Sequence, residues 1–315
     1  MPEAVVREGQ QHFVAKLEDT PLKAVDAVDD SAPPTSTWGE AWRQLRRRPL
    51  FWASAVLIFL VVLVAVFPSL FSGTDPRFQD LSKSLQGSQD GHPLGFTRLG
   101  QDVYARVIFG ARASVVVGLI STGIVVLIGG VFGAVAGYYG GIWDSLLSRI
   151  GDIFFAIPLV LGAIVLMSVL DNRSVWVISL VLALFAWPQV ARIMRSAVLQ
   201  VRGAEFVTAA KALGLSSTKV LLRHVVPNAL GPVIVVATIM LGTFIAAEAT
   251  LSFLGVGLPP STVSWGGDIS NAQASLRTDP LILFWPAGAL SLTVLSFIML
   301  GDVVSDALDP KARNR

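Results

Sequence analysis

The chain has 315 residues, 53% of them hydrophobic and 15% charged, with a mean hydropathy of +0.65 and a net charge of +2. Soluble domains carry about 25% charged residues, so this composition points to a protein solvated by lipid. The small net charge, without a basic patch interleaved with aromatics, argues against nucleic acid as a partner. The absence of cysteine excludes disulfides, thiolate metal sites and cysteine nucleophiles.

Residues 1–36 are polar and rich in Ala, Asp and Pro. They lack the apolar core of a secretory signal and are expected to form a disordered cytoplasmic tail. In residues 37–49, Trp38, Trp42 and Leu45 recur at i, i+4 and i+7, with arginines on the other side. That is the pattern of an elbow helix lying in the membrane interface, although a simple aromatic and basic anchor would use the same residues.

Six stretches are apolar for long enough to cross a bilayer core, which needs about 20 helical residues: 50–70, 113–138, 153–170, 174–191, 229–252 and 281–302. The expected fold is therefore an all-α membrane protein with six transmembrane helices. Its core would run over 113–308, with a short C-terminus over 309–315. Segment 71–112 is the largest extramembrane piece. There Leu99, Val103 and Val107, flanked by Tyr104, Ile108 and Ala111, predict an amphipathic helix leading into the second span. It would cap the outer mouth, touch an outer partner, or float in the interface.

In the second span Gly129, Gly133 and Gly137 repeat every four residues, a small-residue stripe that admits a neighbouring helix. Only Asp171–Ser174 separate the third and fourth spans, so those two are expected to form a helical hairpin. With the N-terminus placed inside, the inner segments hold fourteen Lys and Arg and the outer segments seven, leaving the first 36 residues out. That asymmetry puts both termini in the cytoplasm.

Between the fourth and fifth spans the apolar pattern is interrupted by residues 205–228, which carry Glu205, Lys211, Lys219, Arg223 and His224. Phe206, Ala209, Ala210 and Leu213 mark one face of a short helix, and Gly214 suits the left-handed turn that ends it. Ser216, Ser217 and Thr218 are candidate caps for a second helix, and Pro227 stands at the entry to the fifth span. The small Ala209–Ala210 pair suggests a surface into which another protein packs. A solvated connector accounts for the same residues.

Ionisable groups inside the spans are sparse, which disfavours an ion-coupled carrier. Glu248 lies about 20 residues, or about 30 Å, along the fifth span. It is expected at the outer rim in water, because a carboxylate at the membrane centre costs about 3 kcal/mol. Asp302 and Asp306, and an i, i+3 pair of Arg149 with Asp152, are expected as interfacial anchors. His12, His92 and His224 are too far apart for a local metal motif, and His224 is expected as a polar packing residue. The metalloprotease, serine-hydrolase and phosphate-loop motifs are absent.

The interrupting segment resembles the EAA loop of ATP-binding-cassette importer permeases. Ala209, Ala210, Gly214 and Pro227 fall in register, Thr208 stands for the first Glu of the motif, Glu205 lies one turn earlier, and His224 occupies the usual Ile position. The stretches "HPLGFTRLGQDVYARVIFGARAS", "WDSLLSRIGDIFFAIP", "AEATLSFLGVG", "SWGGDI" and "LTVLSFIMLGDVVSDALDP" are similar to the C-type subunit of oligopeptide, dipeptide and nickel permeases.

The resemblance implies half of a translocation channel in a prokaryotic plasma membrane, paired with a sibling permease. Two cytoplasmic ATPases would bind ATP and Mg and dock on the EAA loop over 203–228, through Glu205, Phe206, Thr208, Ala209, Ala210, Leu213, Gly214, Arg223 and His224. The chain itself would hold no cofactor and have no enzymatic activity. An extracytoplasmic binding protein would deliver the solute, with Glu248 and Trp265 as an outer gate or contact for it. Small peptides are the expected solute; nickel or another small solute is the alternative.

Overall fold

The computed structural model describes residues 37–308, and the regular structure among them is helical apart from two isolated β-bridges. The expected tail over 1–36, the C-terminal residues 309–315, His12 and the side chain of Trp38 lie outside the described residues.

Helix α1 (Thr37–Leu45) is joined by a short arginine turn to α2 (Pro49–Val66). Pro49 suits the first turn because its missing N–H would have no helical partner there. The Trp52 indole N–H donates to Arg46 O at 3.0 Å and fixes the corner. Helix α2 is uncharged and buries little of itself against the chain, leaving Leu50, Phe59 and Leu60 exposed, as a lipid-facing helix does.

Helix α3 (Val103–Tyr139) runs for 37 residues, about 55 Å at 1.5 Å per residue. Asp102 caps it, its Oδ1 accepting from Tyr104 N at 2.9 Å and Ala105 N at 3.4 Å. The expected amphipathic helix and second span are thus one uninterrupted element with no boundary at 112. No proline or strained glycine breaks it, and the charge of Arg106 is neutralised by a partner instead of leaving the helix.

Glycines φ +67° and +56° at Gly140 and Gly141 turn the chain into α4 (Gly141–Phe155), followed by α5 (Leu159–Val169). The third span, expected as one rod over 153–170, is a pair of helices bent by 78°. Pro158 sits at the bend, where it denies the helix an N–H and disfavours helical geometry in the residue before it. Helix α6 (Val175–Val201) continues past the expected end at 191.

A short hairpin follows: α7 (Glu205–Ala212), α8 (Ser217–Val220) and a π-helical turn (Leu221–Val225) leading into α9 (Val226–Phe253). After a folded-back loop come α10 (Trp265–Ala272) and α11 (Leu281–Leu308). Among the described residues five helices are long and apolar enough to cross a membrane, or six with the bent pair taken as one span.

The core lies between α3, α6 and α9, where Val117, Val125, Leu182, Val190, Phe244 and Leu251 are fully buried. Helices α3 and α6 share the largest contact, and the glycine stripe is its reason. A Cβ at Gly129, Gly133 or Gly137 would lie 2.7, 2.3 or 2.8 Å from the carbonyl oxygen of Trp187, Ala191 or Arg195. An ion pair of Arg48 with Asp306 ties the start of α2 to the end of α11, at the end of the molecule that carries the hairpin.

Candidate functional site

The hairpin presents a surface that the rest of the chain does not cover. On α7, Val207 and Ala210 turn inward, at 0% and 7% exposure, whereas Phe206 and Leu213 are 47% and 82% exposed. Glu205, Thr208 and Ala209 are exposed as well. The face expected from the sequence is therefore split: Ala210 belongs to the floor of the hairpin and not to its outer surface. At about 100° per residue, Val207 and Ala210 share one side while Phe206, Ala209 and Leu213 share the other. The second arm, with Val220 buried, needs the first side.

Gly214 makes the turn at φ +83°, with its N–H donating to Lys211 O at 3.0 Å and Leu215 N donating to Ala210 O at 3.3 Å. A Cβ there would meet nothing within 4 Å, so the backbone angle and not the space demands glycine. Ser216 occupies the cap position of α8 without a side-chain cap bond, contrary to the expectation for this serine cluster.

The second arm does not stop at Pro227. Residues Ser217–Phe253 form one helical rod of 37 residues, and the π turn before the proline absorbs the missing N–H. Asn228 Nδ2 donates to His224 O at 2.7 Å, satisfying a carbonyl at the same irregularity. Arg223 is exposed and His224 half-buried. The hairpin is moored to the end of α3: Lys211 Nζ lies 5.3 Å from the centre of the Tyr138 ring, and Tyr139 Oη lies 3.4 Å from Thr218 Oγ1.

The opposite end of α9 is built in the other manner. Glu248 is fully buried, which corrects the expectation of a hydrated carboxylate at the rim. Its Oε1 accepts from Ser252 Oγ at 2.8 Å and Ser264 Oγ at 3.2 Å, and its Oε2 from Ser114 Oγ at 3.1 Å. Two of these hydroxyls accept in turn from Leu258 N and Gly267 N, which leaves their protons for the carboxylate. Water is excluded because the segment after α9 folds back over the helix end. A Cβ on Gly257 would lie 2.1 Å from Ser252 Oγ, and one on Gly266 2.4 Å from Ala249 Cα.

Trp265 is also buried, at 2% exposure, and its indole N–H donates to Val107 O at 2.8 Å. Neither Glu248 nor Trp265 offers a surface to a docking protein here. Beside them Arg106 reaches Asp268 with Nε at 2.7 Å and also with its terminal nitrogen. Burial raises the Asp268 carboxyl above its ordinary range, and the Arg106 guanidinium works against that.

Other expectations shift in the same way. Asp152 pairs with Arg192 of α6 at 3.2 Å instead of with Arg149, and Asp144 takes Arg195 in a two-point contact, with Nη2 donating to Oδ2 at 2.7 Å. His92 bonds Asp102 at 2.9 Å. The two arginine pairs join residues 40 and 51 positions apart, so no local spacing announced them. Among the described residues no group of three or more His, Cys, Asp or Glu could hold a metal ion.

Residues 129–314 match the family model described as the binding-protein-dependent transport system inner membrane component, and residues 36–87 match the N-terminal transmembrane domain of oligopeptide transport permease C. The oligopeptide transport system permease protein OppC of Bacillus subtilis (strain 168) is 36% identical over 297 residues, 94% of this chain and 97% of that protein. The dipeptide transport system permease protein DppC of Alkalihalophilus pseudofirmus is 35% identical over 95% of this chain and 98% of its own length. The glutathione transport system permease protein GsiD of Escherichia coli O157:H7 is 37% identical over 95% and 97%. A chain of the MetNI methionine ABC transporter in inward-facing form, 20% identical, superposes with a TM-score of 0.53 over 65% of this chain and 96% of that one, and so shares its fold. With its membrane-length helices and these matches, the chain belongs to the family of binding-protein-dependent transport system inner membrane components, the permease subunits of ABC importers.

Proposed function

We propose that this permease subunit forms one half of a channel for small peptides and is driven through its hairpin by two ATPases that bind ATP and Mg. The observation that carries the reading is the exposure of Phe206, Ala209 and Leu213 beside Glu205, Lys211 and Arg223 on the hairpin. It leaves an apolar knob ringed by charge, on a helix pair that continues into α9 without a break. Such a surface suits a groove in another protein. The excess of Lys and Arg toward that end supports a cytoplasmic position for it. Energy would then arrive by rigid-body movement, α9 tilting with the hairpin.

A sibling permease would supply the other half of the channel, and an extracytoplasmic binding protein would deliver the solute at the far end. The peptide class rests on the relatives named for oligopeptides, dipeptides and glutathione, itself a tripeptide. The test is co-purification of the tagged chain from its native membrane in detergent. The reading expects a second multi-pass permease and ATPases bearing phosphate loops, and it expects Ala209→Arg to lose the ATPases while keeping the permease. Recovery of the chain unaccompanied, still moving peptide in liposomes without ATP, overturns it.

A further inference from the structure

We propose that Glu248 is a positioning residue: a latch through which the far end of α9 carries the folded-back segment 254–280, so that a movement of the hairpin is delivered to the end where solute is handed over. The inference rests on the hairpin being the ATPase-docking element. Ser217–Phe253 is one helical rod, and Glu248 stands about 45 Å along it from Ser217 at 1.5 Å per residue. A rod of that length transmits a tilt only if something grips its far end.

Glu248 is that grip, because its three hydroxyl donors come from three separate places. Ser252 lies on α9 itself, Ser114 on α3, and Ser264 at the cap of α10. The N-terminus of α10 begins at the next residue, so its positive dipole end favours the carboxylate without any cation. The two glycines that leave no room for a side chain, Gly257 and Gly266, bring the returning segment into van der Waals contact with α9 at Ser252 and Ala249. Trp265 and the Arg106–Asp268 pair then fasten the same segment to α3. A carboxylate buried among hydroxyls and closed off from solvent serves to hold elements together; a gate or a docking contact would have to be reachable.

The chain has no cysteine, so paired spin labels can be placed in it without background from its own residues. In the assembled complex with its ATPases, one pair at Lys219 and Arg47 reports on the hairpin, and one at Arg277 and Asn172 reports on the outer end. All four sites are exposed. ATP is expected to shift both distances in the parent chain. In Glu248→Gln the hairpin pair should still shift, the outer pair should lose its shift or broaden, and peptide uptake per ATP hydrolysed should fall at least tenfold. Where Glu248→Gln does not assemble, Ser264→Ala, which removes one donor and leaves the carboxylate, carries the same readings. An outer pair that follows ATP as before, with uptake per ATP unchanged, overturns the latch. A parent chain whose hairpin pair ignores ATP overturns the docking reading beneath it.

Discussion

The two ends of the Ser217–Phe253 rod treat polar residues in opposite ways. At the hairpin end Glu205, Lys211, Lys219 and Arg223 stand in water while apolar side chains such as Leu213 are left uncovered. At the other end Glu248, Asp268, Arg106 and the serines around them are buried and bonded, and the apolar Trp265 is sealed in. An apolar chain spends its few charges in two ways. Hydrated charge beside exposed apolar surface marks a place for another protein; desolvated charge bonded to neighbouring elements marks a tie within the molecule.

That contrast can be broken by substitutions whose effects separate stability from coupling. The largest expected loss is Asp268→Ala, which strands the Arg106 guanidinium in a buried site; removing one partner of such a pair costs about 3–5 kcal/mol. Thermal unfolding in detergent should show it, and an unchanged melting temperature would mean that this end of the molecule is open to water. Trp265→Phe removes the N–H that binds Val107 O and part of a buried ring, and should cost about 1–3 kcal/mol through the lost bond and the cavity left behind, read in the same melt.

On the hairpin, Gly214→Ala forces a side chain to φ +83° and should cost about 1 kcal/mol. Its larger effect is expected on ATPase co-purification, because the turn sets the angle between the two arms. The smallest stability effect is Leu213→Ser. At 82% exposure the side chain has almost no packing to lose, so the melt should move by less than about 0.5 kcal/mol, yet ATPase binding should weaken about tenfold. If Leu213→Ser lowers stability and spares binding, the two ends are not the opposites described here.

The sequence carried the architecture well where the signal was local. The apolar runs placed the membrane helices, the spacing of Phe206, Gly214 and Pro227 placed the hairpin, and Gly129, Gly133 and Gly137 announced the close contact that α6 makes with α3. It failed where the answer depended on a distant segment. The helical position of Ala210 could not show that the second arm would claim it as a floor. Glu248 was rightly near the end of its helix, but nothing in its neighbourhood disclosed that residues 254–280 return to cover it. Pro158 carries the chemistry of a break, but the apolar run across it is continuous and reads as a single span. The α8–α9 rod was the reverse case: Pro227 looked like a boundary, and a π turn, which leaves no mark in composition, carried the helix through.

The Arg106–Asp268 pair also has a consequence in time. Its members are 162 positions apart, and chains grow at about 5–20 residues per second, so Arg106 emerges roughly 10–30 s before its counter-charge exists. Throughout that interval the guanidinium must stay in water, and the start of α3 cannot settle against its neighbours. The end of the molecule that holds this pair therefore closes late in synthesis, and a ribosome that stalls before residue 268 leaves a chain in which α2 to α9 are present but that end is still open. Quality-control proteases that sample unfinished membrane proteins would find their foothold there.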